Sequence, residues 1–192
     1  MQERYVALDV ETTGLSPWKG DRVIEIGAIA LEGGDLMAEF STLIQAPREI
    51  PFRASQIHGI TDEMLIGQPT PEEVFPALRA FIQDSILVAH NARFDLGFLR
   101  REYELLGKRF HHRHICTLEM SRSRFPRLSN HKLETVYRHL IGINGVGGVM
   151  RRGHDIGLQS NPFRVPGSGK QTHRALDDAR MVAGIWLAME ER

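Results

Sequence analysis

The chain has 192 residues, enough for one domain with a sizeable core, and its charges balance at 24 basic against 24 acidic side chains. Apolar residues make up 42%, an ordinary share for a globular fold, and no apolar run approaches the ~20 residues needed to span a bilayer. The single cysteine, Cys116, excludes an internal disulfide, so a reducing, cytoplasmic setting with no membrane partner is expected.

Polar Met1-Gln2-Glu3-Arg4 has no signal-peptide pattern and leads directly into Arg4-Tyr5-Val6-Ala7-Leu8-Asp9, a buried strand ending at an acid. Arg22 to Glu32, rich in Val and Ile, is a second strand. Gly33-Gly34 is a turn signal, so Leu36 to Ile44 should return as its hairpin partner. Pro47 and Pro51 predict an irregular loop. Thr70-Pro71-Glu72-Glu73 is a capping box with proline at the first helical position, and the helix it opens should bury Val74, Leu78, Phe81 and Ile82. Ile86 to Ala89 is a short buried strand. Phe94 to Leu106 reads as a helix with Leu96, Leu99, Tyr103 and Leu106 on one stripe and Gly107 as its cap. Ile115-Cys116-Thr117 is an edge strand with a helix after it, and Leu133 to Ile141 is a further helix. Residues 142–170 are glycine-rich, lack periodicity and carry Arg151, Arg152, Arg164 and Lys170, so they read as an insertion beside a functional site. Ala175 to Met189 closes the chain as a helix with Val182, Ile185 and Met189 turned inward. A meander of strands followed by strand–helix alternation predicts an α/β fold with a mixed sheet, in a single domain of residues 1–192.

The charges are unevenly placed. Residues 1–99 hold 7 Lys and Arg against 15 Asp and Glu, whereas residues 100–174 hold 15 against 5. That split suits a protein that gathers carboxylates at a metal and grips phosphates beside it, although solvated charge clusters would look the same.

Three short motifs carry the chemistry: Asp9-Val10-Glu11-Thr12-Thr13-Gly14, His90-Asn91-Ala92-Arg93-Phe94-Asp95, and His173-Arg174-Ala175-Leu176-Asp177-Asp178. Asp9 and Glu11 lie two apart, so an extended chain points them the same way, either at one ligand or at solvent. Asp95 follows a buried strand and opens a helix; it can line a ligand crevice or simply complement the helix terminus. Asp178 shares a helical stripe with Val182 and Ile185, so it should face inward, where a carboxylate needs a cation or a partner. Asp177 should stay in solvent. His173 precedes that helix and could act as a general base on water, or be an ordinary exposed histidine. Oxygen-only ligands suit hard divalent cations, and a pair of such cations is what phosphodiester hydrolysis uses to activate water and neutralise the leaving oxygen.

In this order the motifs resemble those of the DnaQ-like 3′→5′ exonucleases of the DEDDh branch, the group that includes the proofreading epsilon subunit of bacterial DNA polymerase III. The His-x4-Asp spacing of the third motif matches the histidine branch, and His58-Gly59-Ile60-Thr61 resembles a loop of epsilon-like members. The resemblance implies a ribonuclease H-like fold with a five-stranded mixed sheet flanked by helices. It implies two divalent cations, Mg²⁺ or Mn²⁺, held by Asp9, Glu11, Asp95 and Asp178, with Asp9 bridging and His173 deprotonating the attacking water. Thr12 and Leu15 would contact the terminal nucleotide, Leu15 as an apolar wedge, and His58, Asn91 and Phe94 would help hold the 3′ end. The implied reaction releases nucleoside 5′-monophosphates from single-stranded 3′ ends, DNA in preference to RNA. A DNA polymerase or a sliding clamp is the implied protein partner; Gln159-Ser160-Asn161-Pro162-Phe163 resembles a clamp-binding peptide without its aliphatic residue before phenylalanine. Two other readings stay open: a short-RNA exonuclease similar to oligoribonuclease, and a non-catalytic module that docks on a polymerase or a nucleic-acid end.

Overall fold

Alternation along the first strand, β1 (Arg4–Thr12), sorts its side chains onto two different cores. Val6, Leu8 and Val10 join one, with Leu78, Phe98 and Tyr103; Ala7 joins the other, with Val88 and Trp186. The computed structural model describes residues 3–141 and 174–190. The glycine-rich 142–170 segment, its 159–163 peptide and His173 lie outside the described residues.

β1 is the middle of a five-stranded sheet with β2 (Val23–Glu32), β3 (Asp35–Leu43), β4 (Ile86–Ala89) and β5 (His114–Cys116), in the order β3-β2-β1-β4-β5. The β1–β2 and β2–β3 pairs are antiparallel, the latter closed through Gly33 and Gly34 at φ 61° and 89°; β1–β4 and β4–β5 are parallel. The sheet is therefore mixed, as the turn chemistry predicts, and β5 is an edge strand.

The helices are α1 (Phe52–His58), α2 (Asp62–Leu65), α3 (Pro71–Ile82), α4 (Ala92–Leu105), α5 (Thr117–Arg124), α6 (Leu133–Ile141) and α7 (Ala175–Glu190). α3 and α4 cover one face of the sheet, where the Tyr103 hydroxyl donates to the Phe75 carbonyl at 2.7 Å. α7 covers the other, backed by α6 through Val136, Ile185 and Met189. No helix among the described residues is long and apolar enough to cross a membrane.

Three local expectations need correction. β1 does not stop at Asp9: β2 runs alongside and pairs Asp9 with Gly27 and Glu11 with Glu25 before the register shifts at Thr12. The stretch after Pro47 and Pro51 is not merely irregular. Pro51 caps α1, since proline costs nothing where an amide has no helical acceptor, and Ile60 and Leu65 anchor the region on Ile24 and Leu43. In α3, Phe75 rather than Phe81 completes the buried stripe with Val74, Leu78 and Ile82; Phe81 sits at the margin against Phe40, with ring centroids 5.6 Å apart. The capping box itself forms, with the Thr70 amide donating to Glu73 Oε2 at 2.8 Å.

Candidate active site

β1 and β4 run parallel, so both end at the same edge of the sheet, where α4 also begins. By alternation Asp9 and Glu11 follow Ala7 onto the α7 face. Across the ladder stand Gly27 and Glu25, and both are needed to seat α7. A Cβ at Gly27 would lie 2.2 Å from the Leu176 nitrogen and 2.3 Å from the Ala175 carbonyl carbon, so only glycine lets the first turn of α7 rest on β2. Buried Glu25 then takes the fork of Arg174, at 3.0 Å from Nε and 2.5 Å from Nη2, and the Ala175 amide at 3.1 Å.

One turn further on, this seating delivers Asp178. Asp9, Glu11 and Asp178 each offer a carboxylate oxygen within 4.8 Å of the others'. Asp178 is buried beside the Val182 stripe, while Asp177 is exposed and pairs with Arg180 at 3.0 Å. Asp95, only 2% exposed in the first turn of α4, lies outside this tight trio but close enough that its charge is the largest electrostatic influence on Asp9. The structure thus brings the four acids to one end of the sheet, three of them into one small volume.

Crowding and burial suppress ionisation. Burial, then the charges of Asp95, Glu11 and Asp178, push the Asp9 carboxyl well above the usual range. Glu11 is pushed up to about 9, by burial first and then by Glu25 and Asp178, with Arg174 opposing. Burial raises Asp95 to about 7 against the pull of the backbone N–H groups of Asp95 and Val10. An all-oxygen donor set that resists ionising together is one that a divalent cation would complete.

Thr12, Leu15, His58, Asn91 and Phe94 differ in burial and in their partners. The Thr12 hydroxyl donates to the Gly14 carbonyl at 2.6 Å and so closes the turn after β1. Leu15, just beyond, is 85% exposed. His58 is buried beside the Thr12 backbone; its Nδ1 accepts from the Ile60 amide at 3.1 Å, and among the described residues its Nε2 makes no hydrogen bond of good geometry. Burial lowers its pKa to about 4, so its ring is neutral at ordinary pH. Asn91 is exposed with φ 74° before α4, and Phe94 is half-buried on Phe98, 5.0 Å between ring centroids. His90, from the second motif, is engaged on both ring nitrogens: Nε2 donates to the His131 carbonyl at 2.8 Å, which leaves Nδ1 to accept from Thr117 at 2.9 Å.

Sequence reasoning passes over Glu25, Gly27 and Arg174. Glu25 does leave a signal, an acid inside the otherwise apolar run from Val23 to Leu31, and Arg174 stands inside the third motif.

Comparison with known proteins agrees with this geometry. The family profile for exonucleases of the RNase T type matches residues 6–186. The chain is 40% identical over 188 residues to the PolC-type DNA polymerase III of Thermotoga maritima, covering 97% of this chain and 12% of that protein. It is 32% identical over 188 residues to the DNA polymerase III epsilon subunit of Aquifex aeolicus, covering 97% of this chain and 80% of that one. The chain thus spans roughly a ninth to an eighth of the PolC-type polymerases, with 11% of the Clostridium perfringens protein covered. Among solved structures, exonuclease X in complex with 5′-overhanging duplex DNA superposes with a TM-score of 0.67 at 26% identity, covering 98% of this chain and 91% of that one. Motif order, sheet topology, the acid cluster and these matches lead to one assignment: the chain belongs to the exonuclease family, as a DnaQ-like member.

Proposed function

We propose that this chain is a metal-dependent 3′→5′ exonuclease that removes nucleoside 5′-monophosphates one at a time from single-stranded DNA ends. The observation that carries the reading is the convergence of Asp9, Glu11 and Asp178 within 4.8 Å, with Asp95 beside them. The family uses divalent metals, and these residues fit hard cations, so Asp9, Glu11, Asp95 and Asp178 would hold two Mg²⁺ or Mn²⁺. Bound there, the cations would supply activation of water and neutralisation of charge on the departing oxygen.

The chain's own groups do the rest. His173, next to the Arg174 anchor, accepts the proton of the attacking water. Water oxygen bonds to the terminal phosphorus, the bond from phosphorus to the preceding 3′-oxygen breaks, and that oxygen is reprotonated from solvent. Leu15, which is exposed, would wedge against the terminal base, and Thr12, His58, Asn91 and Phe94 would help hold the 3′ end. DNA polymerase names among the relatives support DNA over RNA, a polymerase as partner and a cytoplasmic setting. The match over residues 6–186 supports a single exonuclease domain with an insertion at 142–170.

The test is digestion of matched DNA and RNA oligomers, free or blocked at the 3′ terminus, with Mg²⁺, with Mn²⁺ or with a chelator. Cation-dependent release of 5′-mononucleotides from free 3′ DNA ends is expected, and Asp9→Ala should abolish it. His173→Ala should slow turnover by roughly 10²–10⁴-fold while Mn²⁺ still binds. Oligonucleotide binding without any mononucleotide release would instead establish a docking module.

A further inference from the structure

The loop from Thr13 to Arg22 shows solvent two large apolar side chains, Leu15 at 85% and Trp18 at 68% exposure. Neither stabilises the fold by burial, yet the loop is firmly built. The Thr13 amide donates to the Arg22 carbonyl at 2.9 Å, and the Ser16 amide to Asp21 Oδ2 at 3.0 Å. Arg22 forks onto buried Glu102 at 2.8 and 2.7 Å, and Asp21 pairs with Arg48 at 3.1 Å. Trp18 lies on the 3-10 turn Pro17–Lys19, and the Arg101 guanidinium stands 5.6 Å from its ring centroid, itself held by Glu104 at 2.8 Å. One face of the indole is backed by a cation, and most of the ring is open.

We propose that Trp18 is a stacking platform for a nucleobase upstream of the one being removed; the proposal rests on the exonuclease reading above. A pinned aromatic beside a cation is the arrangement that takes up single-stranded nucleic acid without regard to sequence, because every base has a π-face and every base brings a phosphate. The platform shares the molecule's rim with the acids, since its loop springs from Thr12 and Thr13, directly after Glu11. It is nevertheless displaced from them. Arg101 stands six residues beyond Asp95 on α4, about 9 Å along the helix, so the base on Trp18 is not the base leaving at the acids. Leu15 and Trp18 would then bracket consecutive parts of the 3′ strand, and a substrate too short to reach Trp18 would miss the second contact.

Kinetics on short and long substrates test this. Wild type should show a lower KM for a twelve-residue oligothymidylate than for the dinucleotide, and Trp18→Ala should shrink that difference roughly tenfold. Trp18→Phe should restore most of it. The difference between wild type and Trp18→Ala should vanish on a twelve-mer that is abasic at every position except the terminal one. A second readout uses emission: the chain has two tryptophans, and Trp186 is buried against Tyr5, so quenching by the twelve-mer should disappear in Trp18→Ala. Trp18→Ala with an undiminished length effect overturns the proposal and leaves the exonuclease intact. So does a loss that persists on the abasic strand, which would point to a protein contact at this ring. A wild type that cleaves neither length overturns both readings.

Discussion

Gly27→Ala isolates the contact on which the acid cluster is built. The added methyl would sit 2.2 Å from the Leu176 nitrogen and 2.3 Å from the Ala175 carbonyl carbon and oxygen. Those are backbone atoms and cannot rotate aside, so β2 and the start of α7 must part by about 1 Å to restore van der Waals separation. Overpacking of this kind costs about 1–3 kcal/mol, which for a chain of this size lowers Tm by roughly 3–10 °C. The effect on chemistry should exceed the effect on folding. α7 carries Asp178, Gly27 faces Asp9 across the ladder, and a 1 Å error in a reacting constellation costs about a hundredfold in rate. Thermal unfolding gives the first number; calorimetric Mn²⁺ titration and mononucleotide release at a temperature where the variant is folded give the second. A variant with wild-type Tm, Mn²⁺ affinity and turnover would refute the claim that α7 rests directly on β2.

Glu25→Gln should destabilise by about 2–4 kcal/mol, because Arg174 loses a charged, bidentate partner in a largely buried place; chemical denaturation measures it, and a change under ~0.5 kcal/mol would contradict the anchoring role. In chelator, stability should fall as pH rises from ~5 toward 9. Unfolded carboxyls lose their protons near pH ~4, whereas folded Asp95 keeps its proton to about 7 and Glu11 to about 9, so the folded state binds more protons across that window. Mn²⁺ should flatten the decline in Tm and bind more tightly as pH rises, since it displaces those protons. His58→Gln should raise KM for an oligonucleotide yet leave the pH–rate profile in place between pH ~6 and ~8, because a ring that protonates near 4 is already neutral there; a shifted acidic limb would reassign it to proton transfer.

The elements that could be read from the chain are those whose cause is local. Gly33-Gly34 closes the β2–β3 hairpin, the Thr70–Glu73 box opens α3, and the spacing of Asp178 from Val182 turns that acid inward. α1 and α2 are not legible in the sequence because Pro47 and Pro51 look like breakers, while the reason those helices stand is distant, the packing of Ile60 and Leu65 on Ile24 and Leu43. The pairing of Glu25 with Arg174 is illegible for the same reason: they are 149 residues apart and meet only when α7 lands on β2.

The amino-acid order alone determined which residue types are present, which of them share a strand face or a helical stripe, and hence which chemistry they are fit for. It did not determine where those faces meet. The β1–β2 register and the docking of α7 through Gly27 decided that Asp9, Glu11 and Asp178 share one small volume with Asp95 just outside it. Periodicity is a property of a few neighbouring residues, whereas register and docking come from burying side chains far apart in the chain, and no local pattern records which partner will be opposite.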